Sequence, residues 1–294
     1  MTVSRRDFLR GGALLSAVML ARQAHVAQAS STDDEDQPWG ILVDLTRCTG
    51  CNSCALACKA ANQLPHPTTL PQSLSAEAYT YVAAINLGGN GESLPQYAKR
   101  QCMHCLEPAC VSACTVGALQ KTPEGPVVYN ASKCIGCRYC QYACPFGVPT
   151  YDWNNALGLI HKCQMCATRL ADGQQQPACV GACTSGALRF GTRKALLAQA
   201  HAQISSNPDK YIDHIYGEHE VGGTSVLYLS GLPFAALGFP ELPEQPVPHY
   251  AEAVMRQTPV IALAMASLAT TLYWITKRRQ QQLAIAVTEA GNDH

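Results

Sequence analysis

Residues 134–144 read CIGCRYCQYAC, and the spacing of their four cysteines, C-x2-C-x2-C-x3-C, decides the fold of this chain. Residues 48–58 repeat that spacing. The 294 residues include 16 cysteines, which divide into four groups with none left over. Numbered along the chain, motif one is Cys48, Cys51, Cys54, Cys58; motif two is Cys102, Cys105, Cys110, Cys114; motif three is Cys134, Cys137, Cys140, Cys144; motif four is Cys163, Cys166, Cys179, Cys183.

The motifs form an internal repeat. Motifs one and three share their spacing, and residues 108–119 (PACVSACTVGAL) agree with residues 177–188 (PACVGACTSGAL) at ten of twelve positions. The chain therefore contains a duplicated two-motif unit.

The repeated spacing is typical of [4Fe-4S] clusters. Three closely spaced thiolates bind three corners of one cube, and the fourth cysteine reaches a neighbouring cluster. Gly50 and Gly136 are expected to let the loops approach the inorganic sulfides. Zinc sites use two separate C-x2-C pairs, and cysteines two residues apart rarely form disulfides. A protein that uses these cysteines for structural zinc sites or disulfides, and acts only as a scaffold, nevertheless remains an alternative.

Composition excludes several functions. Lys plus Arg and Asp plus Glu both number 21, so the net charge is zero and no basic field favours nucleic acid. Charged residues make up 14%, against roughly 25% in an ordinary soluble domain. No Ser/His/Asp array, phosphate-binding glycine loop or spaced pair of carboxylates occurs in the sequence. We therefore expect no catalytic site.

Both ends of the chain indicate a membrane. Residues 1–29 resemble a twin-arginine signal peptide, with Arg5-Arg6, an apolar run and Ala27-Gln28-Ala29 as a cleavage signal. Residues 259–276 (PVIALAMASLATTLYWIT) carry no charge and would span about 27 Å as a helix. We expect a transmembrane anchor over 258–276 and, because Lys277, Arg278 and Arg279 follow, a cytoplasmic tail over 277–294. A buried helix is the alternative.

Two other segments have predicted roles. Residues 60–100, rich in Pro, Ser, Gly and Asn, predict a surface insertion that contacts a partner. Residues 191–257 predict a helix and an extended connection, with the helix over 192–205 and Thr192 as its cap. His104 and His161 are expected to form hydrogen bonds or pack, not to bind iron. Aromatic and basic residues beside motif three are expected to shield a cluster from water, with contact to a partner as the alternative: Arg138, Tyr139, Tyr142, Phe146.

These motifs resemble a known family, the four-cluster ferredoxin-type electron-transfer subunits of membrane-bound hydrogenases, formate dehydrogenases and sulfur-compound reductases. The resemblance covers about residues 39–190. Residues 101–105 (QCMHC) and 134–140 (CIGCRYC), with both chain ends, are most similar to the iron–sulfur subunits of periplasm-facing nickel-iron hydrogenases of the hydrogenase 2 type.

The resemblance implies how the cysteines pair, which the repeat alone leaves open. In this family motif one pairs with motif four and motif two with motif three, and the last cysteine of each motif crosses to its partner's cluster. Carried over, the four clusters would be held by Cys48, Cys51, Cys54, Cys183; by Cys163, Cys166, Cys179, Cys58; by Cys102, Cys105, Cys110, Cys144; and by Cys134, Cys137, Cys140, Cys114.

The resemblance also implies a fold and a function. We expect an α+β protein of two pseudo-symmetric ferredoxin-like dicluster halves over 39–190, plus one carboxy-terminal transmembrane helix. It would relay electrons through four [4Fe-4S] clusters between the small subunit of a hydrogenase, which also has a large subunit, and an integral membrane quinone-reactive subunit. The cluster domain would face the periplasm. A formate dehydrogenase or sulfur-compound reductase subunit is the alternative.

Overall fold

A three-stranded sheet lies at the centre of the computed structural model, which describes residues 38–66, 69–87, 95–155 and 157–291. The strand order is β8-β1-β9, comprising Leu188–Thr192, Trp39–Asp44 and Val226–Leu229. Strand β1 runs antiparallel to β8 and parallel to β9. The signal-peptide prediction for 1–29 lies outside the described residues.

The two faces of β1 are covered differently because successive side chains of a strand point to opposite faces. Ile41 and Val43 join a core cluster that contains the rings of Tyr216 and Tyr228. Leu42 joins a second cluster with residues of helix α6 (Arg193–Ser206). The central strand is therefore buried on both sides, which holds the loop that follows it in place.

Within the described residues, six further strands form three antiparallel hairpins: β2 with β3 (Tyr81–Ile85, Gln96–Arg100), β4 with β5 (Leu119–Lys121, Val127–Tyr129), and β6 with β7 (Thr150–Tyr151, Ile160–His161). The helices near the cysteines are also short: α1 (Ser53–Ala61), α2 (Ala109–Ser112), α3 (Tyr139–Ala143), α4 (Ala167–Ala171) and α5 (Ala178–Gly181).

Similar local elements surround motifs one and three. A strand, a 3₁₀ turn (Leu45–Arg47 or Ala131–Lys133) and a helix succeed one another in both. Motifs two and four each contain a four-residue helix and lead into a strand, β4 or β8. The repeated sequence therefore folds into repeated local structure.

The insertion expected over 60–100 is not only a surface loop. Strands β2 and β3 lie in this segment, with Val82 and Ala98 in the main core and Lys99 only 1% exposed. The alternating side chains of a hairpin can bury one face, which the Pro- and Gly-rich composition of the segment obscured.

The segment over 191–257 contains the predicted helix. Helix α6 spans Arg193–Ser206, and Thr192 Oγ1 accepts a hydrogen bond from the Ala195 amide, which confirms the predicted cap. The rest is more than a connection, because β9 completes the central sheet and its residues are buried.

The carboxy-terminal helix α7 spans Val247–Gly291 and is much longer than the predicted anchor. Its section Val247–Gln282 is long and apolar enough to cross a membrane, and side chains such as Val260 and Leu263 are exposed in the isolated chain. Near its start, His249 Nε2 lies 2.7 Å from Glu107 Oε2, beside α2. The helix continues through the predicted tail as far as Gly291.

Candidate metal centre

Four cysteines from two distant motifs line one cavity, called cavity one. Cys48 and Cys51 lie in the loop after β1, Cys54 lies in α1, and Cys183 follows α5. Helices α1 and α5 pack against each other. This packing joins motif one to the end of motif four.

A second cavity, cavity two, lies beside the same helices and is lined by Cys58, Cys163, Cys166 and Cys179. Cys54 and Cys58 lie about one turn apart on α1, so this helix contributes a thiol to each cavity. Helix α5 does the same, with Cys179 in cavity two and Cys183 just beyond its end in cavity one.

Motifs two and three meet where α2 packs on α3. The neighbouring thiols of Cys105 identify group three, which consists of Cys102, Cys105, Cys110, Cys144. The neighbouring thiols of Cys140 identify group four, which consists of Cys134, Cys137, Cys140, Cys114. Cavities one and two are thus lined by two of the sets that the resemblance implied, and the neighbours of Cys105 and Cys140 include the members of the other two.

The four sets follow one another in space. Cys163 of cavity two packs in the same apolar cluster as Cys102 of group three. Cys110 of group three packs in another cluster with Cys140 of group four. Since α1 and α5 join cavities one and two, the order is cavity one, cavity two, group three, group four.

Side-chain caps hold the loops that carry motifs one and three. Asp44 Oδ1 accepts hydrogen bonds from the Thr46 amide at 3.1 Å and the Thr46 hydroxyl at 2.6 Å. Its Oδ2 accepts a hydrogen bond from the buried Tyr211 hydroxyl at 2.8 Å. Asn130 caps the second turn in the same manner but lies at the surface. Each cap fixes the direction in which the chain enters its cysteine loop.

Steric contacts, which the sequence did not reveal, explain why glycine is required in these loops. Gly50 has φ +72°, and a Cβ there would lie within 2.6 Å of three atoms of the Tyr97 ring. Gly136 has φ +68°, and its Cβ would lie 2.5 Å from the Leu157 carbonyl oxygen. Both positions require a residue without a side chain, because protein atoms already occupy that space.

Backbone amides point at several sulfurs. The amides of Ala118, Gly136 and Met165 donate to Cys114, Cys134 and Cys163 Sγ at 3.2, 3.5 and 3.3 Å. Such N–H···S bonds stabilise a thiolate and adjust the reduction potential of a bound cluster.

The donor set suits an iron–sulfur cluster. All sixteen cysteines are free thiols, and soft thiolates are the ligands that such clusters require. Burial raises the pKa of the Cys58 and Cys110 thiols to about 12 and that of Cys140 to about 11. These thiols are therefore protonated at neutral pH without a metal, and binding a cluster would release their protons.

The two histidines form hydrogen bonds, as expected. His161 Nδ1 lies 3.0 Å from the Tyr79 hydroxyl. His104 is fully buried, burial lowers its pKa well below the usual value, and its Nδ1 accepts a hydrogen bond from the Val127 amide at 2.9 Å. A neutral ring that accepts at Nδ1 carries its proton on Nε2.

The residues beside motif three, expected to shield a cluster or to contact a partner, differ in exposure. Tyr139 exposes 60% and Tyr142 86% of its surface, while Phe146 packs partly buried against the core. Arg138 lies over the rings of Tyr151 and Trp153, at 3.9 and 4.3 Å from their centroids. The two tyrosines therefore belong to an exposed aromatic surface beside motif three.

Sequence reasoning missed two buried lysines near the cysteines. Lys99 is 1% exposed and lines cavity one. Lys162 is 3% exposed; its Nζ lies 4.0 Å from Cys102 Sγ and 2.8 Å from the Cys163 carbonyl oxygen. A lysine next to a cysteine motif is ordinary in a sequence, and only burial distinguishes these two.

Comparisons with known proteins agree with this chemistry. Residues 95–193 match the 4Fe-4S dicluster domain family. A protein of Nitratidesulfovibrio vulgaris is 42% identical over 300 residues, covering 98% of this chain and 81% of that protein. The hydrogenase-2 operon protein HybA of Escherichia coli O157:H7 is 36% identical over 282 residues, covering 82% and 84%. The formate dehydrogenase-O iron-sulfur subunit of Escherichia coli K12 is 33% identical over 216 residues, covering 69% and 71%.

These matches confirm the resemblance and disagree with a zinc or disulfide scaffold. With its sixteen cysteines, its 4Fe-4S dicluster domain and a carboxy-terminal helix suited to a membrane, this chain belongs to the ferredoxin-type iron–sulfur electron-transfer subunits, the family that includes HybA and the iron–sulfur subunits of formate dehydrogenases.

Proposed function

We propose that this chain conducts electrons through four [4Fe-4S] clusters as a subunit of a membrane-bound respiratory hydrogenase. Each cluster, when bound, exchanges one electron. The chain supplies four thiolates per cluster, excludes water by burial and directs backbone amides at the sulfurs. It has no catalytic site of its own, so hydrogen chemistry belongs to a partner subunit.

One observation carries the proposal: cavities one and two are each lined by four cysteines of motifs one and four, and Cys105 and Cys140 each have thiols of motifs two and three as neighbours. This grouping supports four sets of four cysteines, and shared helices or apolar clusters link neighbouring sets. In each set three cysteines come from one motif and the fourth comes from its partner motif. Electron transfer requires clusters held close together, and this interleaving supports a continuous row.

The proposed architecture consists of two pseudo-symmetric dicluster halves. Motifs one and four form one half, and motifs two and three form the other. The antiparallel pairing of β1 with β8 and of β5 with β4 supports this division, because each pair joins the two motifs of one half.

Membrane attachment and orientation complete the proposal. Helix α7 anchors the chain in the cytoplasmic membrane, and the cluster domain lies on the periplasmic side. The twin-arginine-like start of the sequence and the cluster Lys277, Arg278, Arg279 after the apolar run support this orientation. The partners are the hydrogenase small and large subunits and an integral membrane quinone-reactive subunit.

Anaerobic purification of the full chain, followed by iron and labile-sulfide analysis, tests the number of clusters. We expect about sixteen irons and sixteen sulfides per chain, with paramagnetic signals after reduction. A colourless protein that contains zinc and no sulfide would refute the proposal.

A second candidate function is the iron–sulfur subunit of a formate dehydrogenase, supported by the 33% identity to the formate dehydrogenase-O subunit. A sulfur-compound reductase subunit would use the same conduit. Copurification from mild detergent separates these possibilities: nickel in the complex supports a hydrogenase, whereas a molybdopterin subunit supports one of the alternatives. The greater coverage of HybA, 84% against 71%, favours the hydrogenase.

A further inference from the structure

Lys99 is a fully buried cation with neutral hydrogen-bond partners. Its Nζ donates to Thr80 Oγ1 at 2.6 Å and to Gln101 Oε1. The Thr80 hydroxyl uses its own proton in a bond to the Arg100 carbonyl oxygen at 2.8 Å, so its oxygen is available to accept from the lysine. A buried charge is costly unless another charge compensates it, and neither acceptor supplies one.

The three residues form part of the wall between the first two cavities. Lys99 lines cavity one, while Thr80 and Gln101 line cavity two. The groups that would compensate the charge of Lys99 are the cysteines of the two cavities, which become thiolates when a cluster is bound.

Lys99 also determines how the Gln101 amide is oriented. An ammonium group only donates hydrogen bonds, so Gln101 must present its oxygen to Lys99 and turn its NH2 group away. Gln101 is 4% exposed, and within the described part of the chain its Nε2 is buried without a hydrogen-bond partner. A residue that lines cavity two thus retains two unused N–H donors.

We propose that Lys99 and Gln101 are positioning residues that raise the reduction potentials of the two clusters held in cavities one and two. Reduction adds negative charge to a cluster, and a nearby cation or N–H donor stabilises the reduced form more than the oxidised form. The proposal rests on the cluster content given under Proposed function. It adds that the same pair of residues sets the reduction potentials of two of the four clusters.

Two variants remove this electrostatic effect on the potentials in different ways. Lys99→Met removes the charge and keeps a long apolar side chain. Gln101→Glu keeps the lysine, places a carboxylate beside it and removes the amide donor. Lys210→Met is the matched control, because Lys210 is exposed and its Nζ lies 5.2 Å from the centroid of the Tyr211 ring. Lys99→Arg retains the charge.

The measurement is a potentiometric titration of the full-length holoprotein in detergent, monitored by electron paramagnetic resonance. In Lys99→Met and in Gln101→Glu we expect the equilibrium constant for one-electron reduction of two clusters to fall at least tenfold, which is about 59 mV. The reduction potentials of the other two clusters should stay near those of the wild type. All four potentials should also stay near the wild-type values in Lys210→Met and Lys99→Arg. If Lys99→Met does not assemble its clusters, Gln101→Glu provides the test.

Unchanged potentials in iron-replete Lys99→Met and Gln101→Glu would overturn the proposal, as would equal shifts in Lys210→Met. Loss of iron from both variants would also overturn it, because the residues would then serve assembly and not potential. A wild-type chain without four clusters would instead refute the proposed function, so the iron and sulfide content of the wild type distinguishes the two failures.

Discussion

Gly50 in the loop of motif one offers a direct test of the cysteine-loop geometry. Its φ of +72° lies in the left-handed region, and an added Cβ would overlap the Tyr97 ring. Gly117 provides a matched control, because its φ is +64° and a Cβ there would meet no atom within 4 Å. Gly117→Ala therefore measures the free-energy cost of the left-handed backbone alone, whereas Gly50→Ala measures that cost plus the cost of overpacking.

The expected destabilisation follows from these two costs. A left-handed alanine costs about 1–2 kcal/mol at either position. Overpacking against the Tyr97 ring adds about 1–3 kcal/mol at Gly50 only. With about 2–4 °C for each kcal/mol in a domain of this size, Gly50→Ala should unfold about 2–12 °C below Gly117→Ala.

Thermal unfolding of the anaerobic holoprotein and iron analysis measure the effect. We expect Gly50→Ala to lose the cluster of cavity one, leaving about twelve irons per chain, whereas Gly117→Ala keeps about sixteen. The double variant Gly50→Ala with Tyr97→Ala should lose less stability than the sum of the single changes, because removing the ring removes the overlap. Equal behaviour of the two single variants would refute the steric reasoning.

Three further predictions concern a cap, a second lysine and the anchor. Asp44→Ala should lower the free energy of unfolding by about 2–4 kcal/mol, because it removes a cap worth about 1 kcal/mol and leaves the buried Tyr211 hydroxyl without its acceptor, worth about 1–3 kcal/mol. The exposed cap change Asn130→Ala should lower it by about 1 kcal/mol only; comparable shifts of the unfolding midpoint would contradict this. Lys162→Met should make the clusters of cavity two and group three harder to reduce by at least about tenfold, which a redox titration measures; unchanged potentials there would exclude a role for this charge. Removing residues from Val247 onward should release the cluster domain from membranes, which carbonate extraction checks; a truncated chain that stays with the membrane would contradict anchoring by α7.

Features encoded by local spacing could be predicted from the sequence. The sixteen cysteines lie within four motifs, each confined to one short segment, so their role as cluster ligands could be predicted without knowledge of the fold. Helix α6 was predicted with its Thr192 cap because capping depends on neighbouring residues only. The apolar run after Arg256 predicted a membrane helix, because length and hydropathy decide insertion.

Features that depend on burial were not predicted. Composition indicated a surface insertion over 60–100, yet the hairpin β2–β3 places Lys99 between two cavities. The segment after α6 looked like a connection, yet β9 enters the central sheet. The exposure of Tyr142 at the surface was likewise not predicted. In each case the outcome depended on contacts between residues distant in the chain.

The sequence by itself determined which family the chain belongs to and predicted which atoms bind iron, because thiolate chemistry and cysteine spacing are local properties. Only the tertiary structure decided which cysteines share a cavity, since the packing of α1 on α5 and of α2 on α3 brings distant motifs together. It also decided that Lys99 lies between two of these cavities, where the low polarity of the interior makes one positive charge far more effective than it is in water.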